Sequence, residues 1–269
     1  MIGQTKLKEA LSDSIEYNLF PQFLILYGDD GCGRNMLVRE VLREHGKTLY
    51  ELPDVKVDTV RQMITDAYKT NAEVFYLIPD ADSMSLAARN ALLKTTEEPV
   101  HNAKIIMTLS TLANTLETIL SRAHTCPLDM YTPEELREYY KTFPQYETSI
   151  DSTVLIACST PGQIKQLVES DAEQMIGFTQ KVIRNVAKVQ GANAFKIGDS
   201  LNLKDDTKYD LAQFFRLFRA LCFLDAELTT RQKLCGVVTT TKQLHWLQLG
   251  VNRQYVFDEW LLAIRKGWR

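Results

Sequence analysis

The first half of the chain alternates two kinds of apolar pattern. Short continuous runs, Phe23–Tyr27 (FLILY), Leu49–Leu52, Val74–Ile78 and Ile105–Leu109, have the length of strands, and His124–Leu128 reads as a fifth. A strand covered on both faces needs such an uninterrupted run. Between the runs, apolar residues return at three- and four-residue steps. Leu7, Ala10, Leu11 and Ile15 form one such face. Leu37, Val38, Val41 and Leu42 form another, with Gly46 placed to end it. A helix is expected from about Asp58 to Lys69, and a further one over Ser85–Glu98, stepping through Leu86, Asn90, Leu93 and Glu97 and closed by Pro99. Alternating strand and helix signals predict a parallel sheet with helical crossovers.

After His124–Leu128 come helix starts, and from Ala172 onward every strong pattern is helical. Thr132-Pro133-Glu134-Glu135 is a helix start, with a threonine cap, proline in the first turn and glutamate three residues on. Thr160-Pro161-Gly162-Gln163 starts another. Ile176, Val182, Ile183, Val186 and Val189 suggest one helix, and 191–207 a break holding a short helix. Leu211, Phe214, Phe215, Phe218, Leu221 and Cys222 make a strong stripe; Leu244, Trp246 and Leu247 belong to a further helix. Gly250-Val251-Asn252 then breaks the chain before a last helix carrying Phe257, Trp260, Leu261 and Ile264. These aromatic stripes read as core or interface rather than as stacking platforms for bases, which need aromatics exposed among basic residues.

The turn between the first strand and its helix reads Gly28-Asp29-Asp30-Gly31-Cys32-Gly33-Arg34-Asn35. A working phosphate loop, G-x-x-x-x-G-K-[ST], closes backbone N–H groups on phosphate oxygens, neutralises the terminal phosphates with lysine and holds magnesium through the hydroxyl. Gly28 and Gly33 keep that spacing. Arg34 replaces the lysine, Asn35 the hydroxyl, and Asp29 and Asp30 add like charges beside an incoming triphosphate. The alternative is a glycine turn kept for its tight corner. The third strand ends in Pro79-Asp80, with Asp82 following. Capping of the next helix is the simpler reading of both aspartates. Thr108 lies near the end of the fourth strand, with Thr111 and Asn114 as nearby polar residues.

Asn90-Ala91-Leu92-Leu93-Lys94, Glu97-Glu98-Pro99 and Thr118-Ile119-Leu120-Ser121-Arg122, with Ile2-Gly3-Gln4 at the start, resemble the clamp-loader branch of the AAA+ ATPases, and within it the delta-prime subunits of bacterial DNA polymerase III. The likeness is densest over residues 1–130. It implies a RecA-like parallel-sheet domain over 1–129, a small helical lid over 130–175 and an all-α collar over 176–269. In active relatives two acidic residues end the third strand and organise magnesium and the attacking water. Here those positions are Pro79 and Asp80. With Arg34 and Asn35, that makes three departures around one phosphate site and implies no intrinsic ATPase. Gly28, Gly31, Gly33, Arg34, Asn35 and Asp80 are the remnant of a nucleotide site; no cofactor is required, and ATP or ADP held there is the alternative. The resemblance makes Arg122 an arginine finger acting in trans on a neighbouring subunit's ATP, where a guanidinium stabilises charge spreading over the transferring phosphoryl group. Ala123 stands where the family motif has cysteine. The bland reading of Arg122 is a surface salt bridge. The resemblance also implies a polar sensor of a terminal phosphate at Thr108, with Thr111 and Asn114 as alternatives. Lids of active relatives often place an arginine near the nucleotide; this chain offers Lys165, between Gln163 and Gln166.

Composition narrows the partners. The chain of 269 residues carries a net charge of −3, divided unevenly: residues 1–179 hold 16 Lys/Arg against 26 Asp/Glu, and residues 180–269 hold 15 against 8. The basic part either meets nucleic acid or acidic neighbours, or forms solvated helix faces. Five cysteines without CxxC spacing argue for a reducing compartment and against zinc, and the four-cysteine module of many delta-prime relatives is missing between Gly46 and Asn71. No metal site is expected. No membrane-spanning run or signal peptide is expected either, which gives a cytoplasmic protein. The reading is a non-hydrolysing stator of a bacterial or phage clamp loader. Its partners are a gamma/tau-like ATPase and a delta-like subunit, with the sliding clamp and primer-template DNA met through the complex. The alternatives are a gamma/tau-like motor with a divergent loop, and a module whose basic C-terminal part contacts DNA or clamp.

Overall fold

In the computed structural model, the described residues are 2–98, 100–113, 115–144, 151–170, 172–186, 188, 196–199, 201 and 210–268. They divide into two compact units, Met1–Tyr131 and Thr132–Arg269.

The first unit is built on a five-stranded sheet: β1 (Phe23–Tyr27), β2 (Leu49–Glu51), β3 (Val74–Ile78), β4 (Ala103–Leu109) and β5 (His124–Pro127), in the order β2-β3-β4-β1-β5. Every pairing is parallel; Phe23 lies opposite Ile105, and Leu24 opposite His124. Period-two alternation splits each run between two cores. Phe23, Ile25, Tyr76, Ile78, Ile105 and Met107 face α3 (Val57–Lys69) and α4 (Leu86–Glu97). Leu24, Leu26, Phe75, Leu77 and Ile106 face α1 (Thr5–Glu16) and α2 (Arg34–Glu44). The inner strands β1 and β3 are accordingly apolar throughout, whereas the edge strands β2 and β5 carry exposed positions. β4 begins two residues earlier than its apolar run, because Ala103 pairs with Val74.

Helix α4 corrects one expectation. Leu86 is 62% exposed, and the buried face runs through Ala88, Leu92 and Thr95 instead. Small residues face the sheet here, so the largest apolar side chain at the start of the helix does not mark its inward side. At the N-terminus, Gln4 donates to the Asp129 carbonyl at 2.7 Å and accepts from the Asp129 N–H at 2.9 Å, closing the unit on itself.

The second unit holds seven helices among the described residues: α6 (Pro133–Tyr140), α7 (Asp151–Ala157), α8 (Pro161–Glu169), α9 (Ala172–Asn185), α10 (Leu211–Leu224), α11 (Thr230–Gln248) and α12 (Arg253–Gly267). The short α5 (Glu117–Leu120) belongs to the first unit. Thr132 and Glu135 form a full capping box, and Thr160 caps α8 by accepting from the Gln163 N–H. Phe214 and Phe218 pack edge-on against Trp260 at 5.3 and 4.9 Å, and the buried Trp260 indole donates to Thr240 Oγ1 at 3.1 Å. The stripe on α10 is thus core. The expected lid–collar junction at 175 falls inside α9; the helix break lies between Glu169 and Ala172, where the Ser170 N–H bonds the Gln166 carbonyl and ends α8. Val189 and most of 191–207 lie outside the described residues. Among the described residues no helix is long and apolar enough to cross a membrane.

Candidate functional site

The glycine turn leaves the C-terminal end of β1. Gly28 donates to the Leu109 carbonyl at 3.1 Å; a Cβ there would stand 3.2 Å from Cys32 Sγ and 3.3 Å from Leu128 Cβ, so the corner is closed to side chains. Gly31 and Gly33 take φ of 80° and 90°, which L-residues with a Cβ rarely adopt. Tyr131 Oη donates to the Cys32 carbonyl at 2.7 Å, and burial pushes the Cys32 thiol up, against the pull of nearby Arg34.

Arg34 opens α2 and turns inward. Its side chain is 6% exposed and donates to the Gly28 carbonyl at 2.7 Å, to Asp30 at 3.3 Å and to Asp80 at 3.2 Å. Asn35 donates to the other oxygen of Asp80 at 3.1 Å and accepts from Thr108 Oγ1 at 2.7 Å; Thr108 in turn accepts from the Asp80 N–H at 2.9 Å. Asp80 holds φ of 45°, a left-handed conformation that asparagine and aspartate tolerate better than most residues. The six residues of the sequence-derived remnant, Gly28, Gly31, Gly33, Arg34, Asn35 and Asp80, therefore come together, and Thr108 joins them as a hydrogen-bond hub. A magnesium triphosphate needs a cation and a hydroxyl directed at phosphate and metal, with carboxylates behind them. Here the guanidinium is neutralised by two aspartates, the amide is held by Asp80 and Thr108, and position 79 is proline. This donor set does not fit a magnesium triphosphate.

The capping expectation for the aspartates fails. Asp80 makes no side-chain cap, and Asp82 accepts from the N–H and hydroxyl of Ser110 at 2.8 and 2.7 Å, tying the turn after β3 to the end of β4. Ser85 caps α4 instead, accepting from the Ala88 N–H at 3.2 Å. No sequence spacing marks Ser110 as the partner, since its link to Asp82 exists only once β3 and β4 pair. Thr111 accepts from the Ala113 N–H in a local turn, away from the network, and Asn114 lies outside the described residues.

Arg122 lies at the opposite, amino-terminal end of the strands. It follows α5, two residues before β5, and β5 begins opposite Leu24 near the start of β1. The glycine turn follows the end of β1, five residues further along. In a parallel sheet that separation is roughly 16 Å at ~3.3 Å per residue. Arg122 is exposed, and its Nη1 donates to the Thr118 carbonyl at 2.7 Å, which also accepts from Ser121 Oγ at 3.1 Å. Ala123 packs against the sheet core. In the second unit, Gln163 is buried and accepts from the Ser159 N–H at 2.9 Å, while Lys165 pairs with Glu169 at 3.9 Å. All five cysteines are free thiols, and among the described residues no group of three or more His, Cys, Asp or Glu could hold a metal ion.

Comparison with known proteins bears on the family resemblance and the fold. The family model described as "DNA polymerase III, delta subunit" matches residues 40–131. DNA polymerase III subunit delta' of Haemophilus influenzae is 29% identical over 149 residues, covering 52% of this chain and 43% of that protein, so the alignment spans less than half the length of this relative. Among solved structures, a DNA polymerase III gamma subunit-related protein of Thermotoga maritima superposes with a TM-score of 0.52 at 17% identity, over 97% of this chain and 99% of that one. The RuvB Holliday junction branch migration motor of Thermotoga maritima gives 0.53 at 16% identity, over 97% and 87%. At these identities the structures speak for the fold alone, a parallel α/β sheet followed by helices. The resemblance to DNA polymerase III delta and delta' subunits rests on the sequence matches.

Proposed function

We propose that this chain is a non-hydrolysing, delta-prime-like stator subunit of a sliding-clamp loader in DNA replication, and that it supplies Arg122 to ATP held by a neighbouring gamma/tau-like ATPase. The observation that carries the reading is the position of Arg122 at the end of the strands opposite its own glycine turn, about a strand length from a nucleotide bound there in cis. The neutralised network of Arg34, Asp30, Asp80, Asn35 and Thr108 supports the same reading, because it leaves the turn without a cation or hydroxyl directed outward. On this reading the second unit supplies a lid and then a collar that joins the subunits. A delta-like subunit completes the ring, the sliding clamp and primer-template DNA are met through the complex, no nucleotide or metal is required, and the chain works in the cytoplasm.

The test is reconstitution with an ATPase-competent partner whose other sites are disabled, comparing wild type with Arg122→Ala. Turnover at the served site falls on the order of a thousandfold or more, as for arginine fingers generally, with assembly intact. Unchanged turnover refutes the trans role. The second reading, a motor with a divergent loop, draws on the preserved positive-φ glycines at 31 and 33. ATP hydrolysis by the purified chain alone favours it.

A further inference from the structure

A cavity of about 260 Å³ opens between α7, α9 and α10 of the second unit. Its apolar side is Leu221 and Leu224, one turn apart on α10, with Ile183 from the last turn of α9. Ile183 and Leu221 are buried, and Leu224 is 41% exposed. Charges of opposite sign line the same space: Arg184, next to Ile183, and Asp225, which ends α10. Among the described residues neither makes an ion pair, with the other or with anything else, and the Gln180 amide beside them has no hydrogen bond. Asp225 Oδ1 accepts from the Glu227 N–H at 2.7 Å, which leaves its second carboxylate oxygen unused. Arg184 lies in the last turn of its helix, where a cation is favoured. Asp225 lies at the C-terminal end of α10, where a carboxylate meets the negative end of the helix dipole. A cation beside Asp225 would relieve that repulsion, but the nearby Lys233 Nζ reaches the Phe223 carbonyl, at 3.4 Å, and makes no ion pair with Asp225.

Pockets for drug-sized ligands enclose about 300–1,000 Å³, so this one suits a smaller molecule. Its lining selects the chemistry: an apolar body, an anionic group for the guanidinium and a cationic group for the carboxylate. We propose that the cavity binds a free α-amino acid with an apolar side chain about the size of leucine. Its carboxylate pairs with Arg184, its ammonium with Asp225, and its side chain covers Ile183, Leu221 and Leu224. Asp225 decides against simpler anions: a phosphate or a fatty acid brings no cation to it, and the C-terminal residue of a peptide brings only an uncharged amide. The site lies wholly within the second unit and is independent of the role of Arg122.

The experiment titrates the full chain with L-leucine, L-leucinamide and N-acetyl-L-leucine and follows backbone amide shifts by NMR. L-Leucine is expected to saturate one site with a Kd on the order of 0.1–1 mM, as its small size allows. Leucinamide lacks the carboxylate and N-acetylleucine lacks the ammonium, so each binds about tenfold more weakly or worse, the weight of one charge-assisted contact. Arg184→Gln weakens leucine about tenfold and leaves leucinamide unchanged. Asp225→Asn keeps an oxygen for the Glu227 N–H, weakens leucine about tenfold and brings N-acetylleucine to within about threefold of it. Arg184 has no partner to lose and Asn can replace the one that Asp225 has, so both variants fold, and their amide spectra away from the cavity stay those of the wild type. No saturable shift with L-leucine up to about 10 mM, well above the expected Kd, overturns the proposal. Equal binding of the three compounds overturns it too, since the two charges then select nothing. Leucine binding that neither substitution changes places the ligand elsewhere and overturns it as well.

Discussion

Replacing Arg34 by alanine removes the cation at the centre of the neutralised turn, and its cost follows from the contacts. The bond to the Gly28 carbonyl is 2.7 Å long and made by a guanidinium only 6% exposed. Hydrogen bonds to charged groups of this kind contribute about 1.5–3 kcal/mol. The pairs with Asp30 and Asp80 are longer, at 3.3 and 3.2 Å, and those carboxylates are 66% and 62% exposed. Solvent screening holds each to about 0–1 kcal/mol. The expected loss is therefore about 2–4 kcal/mol in the first unit. With an unfolding entropy near 2.1 cal/mol/K per residue, a unit of about 130 residues loses roughly 7–15 °C in Tm. Differential scanning calorimetry of the full chain measures this, and tryptophan fluorescence follows the second unit separately, because Trp246, Trp260 and Trp268 all lie there. A drop below about 2 °C would show that Arg34 is not holding the turn together, and the neutralised-site argument would fall with it. The same instrument tests the wild type with magnesium ATP at about 1 mM. A dissociation constant weaker than that stabilises by less than about 0.4 kcal/mol, or roughly 1.5 °C. A rise of about 4 °C or more would mean that the turn binds nucleotide after all.

Two further outcomes test the packing. Thr240→Val leaves the buried Trp260 indole N–H without its acceptor and lowers the stability of the second unit by about 1–3 kcal/mol in urea denaturation, whereas Thr240→Ser restores most of it. The Arg39 guanidinium, bonded to Glu51, holds that carboxyl below its usual 4.5, so the pair contributes stability above about pH 4.5 that is lost as pH falls through the lowered value. Both side chains reach solvent, so the effect is below about 1 kcal/mol; Arg39→Ala flattens the acid side of the Tm–pH curve, and an unchanged slope would refute the linkage.

How much of this could be read from the chain depended on whether the determining contacts were local. β1 and β3 were legible because two-sided burial leaves no polar position, and α6 and α8 because their caps bond three residues away. α11 was visible only from Leu244 onward, although it begins at Thr230. Its inward positions Gly236, Thr240 and Gln243 are small or polar, since α10 and α12 pack close there and Thr240 answers Trp260. The aspartates after β3 were misread as caps for a related reason: their partners, Arg34, Asn35 and Ser110, lie 28 to 46 residues away and meet them only through the strand order.

The placement of Arg122, by contrast, follows from topology. In an all-parallel sheet, the residues immediately following a strand lie at one end of the strands and those immediately preceding a strand lie at the other. A turn after β1 and an arginine before β5 must face opposite ways, whatever the side chains do. The changes around the turn are tied to one another in the same manner. Arg34 and Asn35 share the two oxygens of Asp80, and Asn35 also holds Thr108. Groups in one hydrogen-bond network do not vary independently. Arg34→Lys would therefore not recover a phosphate loop: a compact ammonium would still face Asp30 and Asp80, Asn35 would still take the second oxygen of Asp80, and Pro79 would still supply no carboxylate. Recovering a nucleotide site would take coordinated change at several positions, while Arg122, roughly a strand length away and outside this network, is free of that coupling. Change within the network at the glycine turn therefore leaves the position of Arg122 untouched.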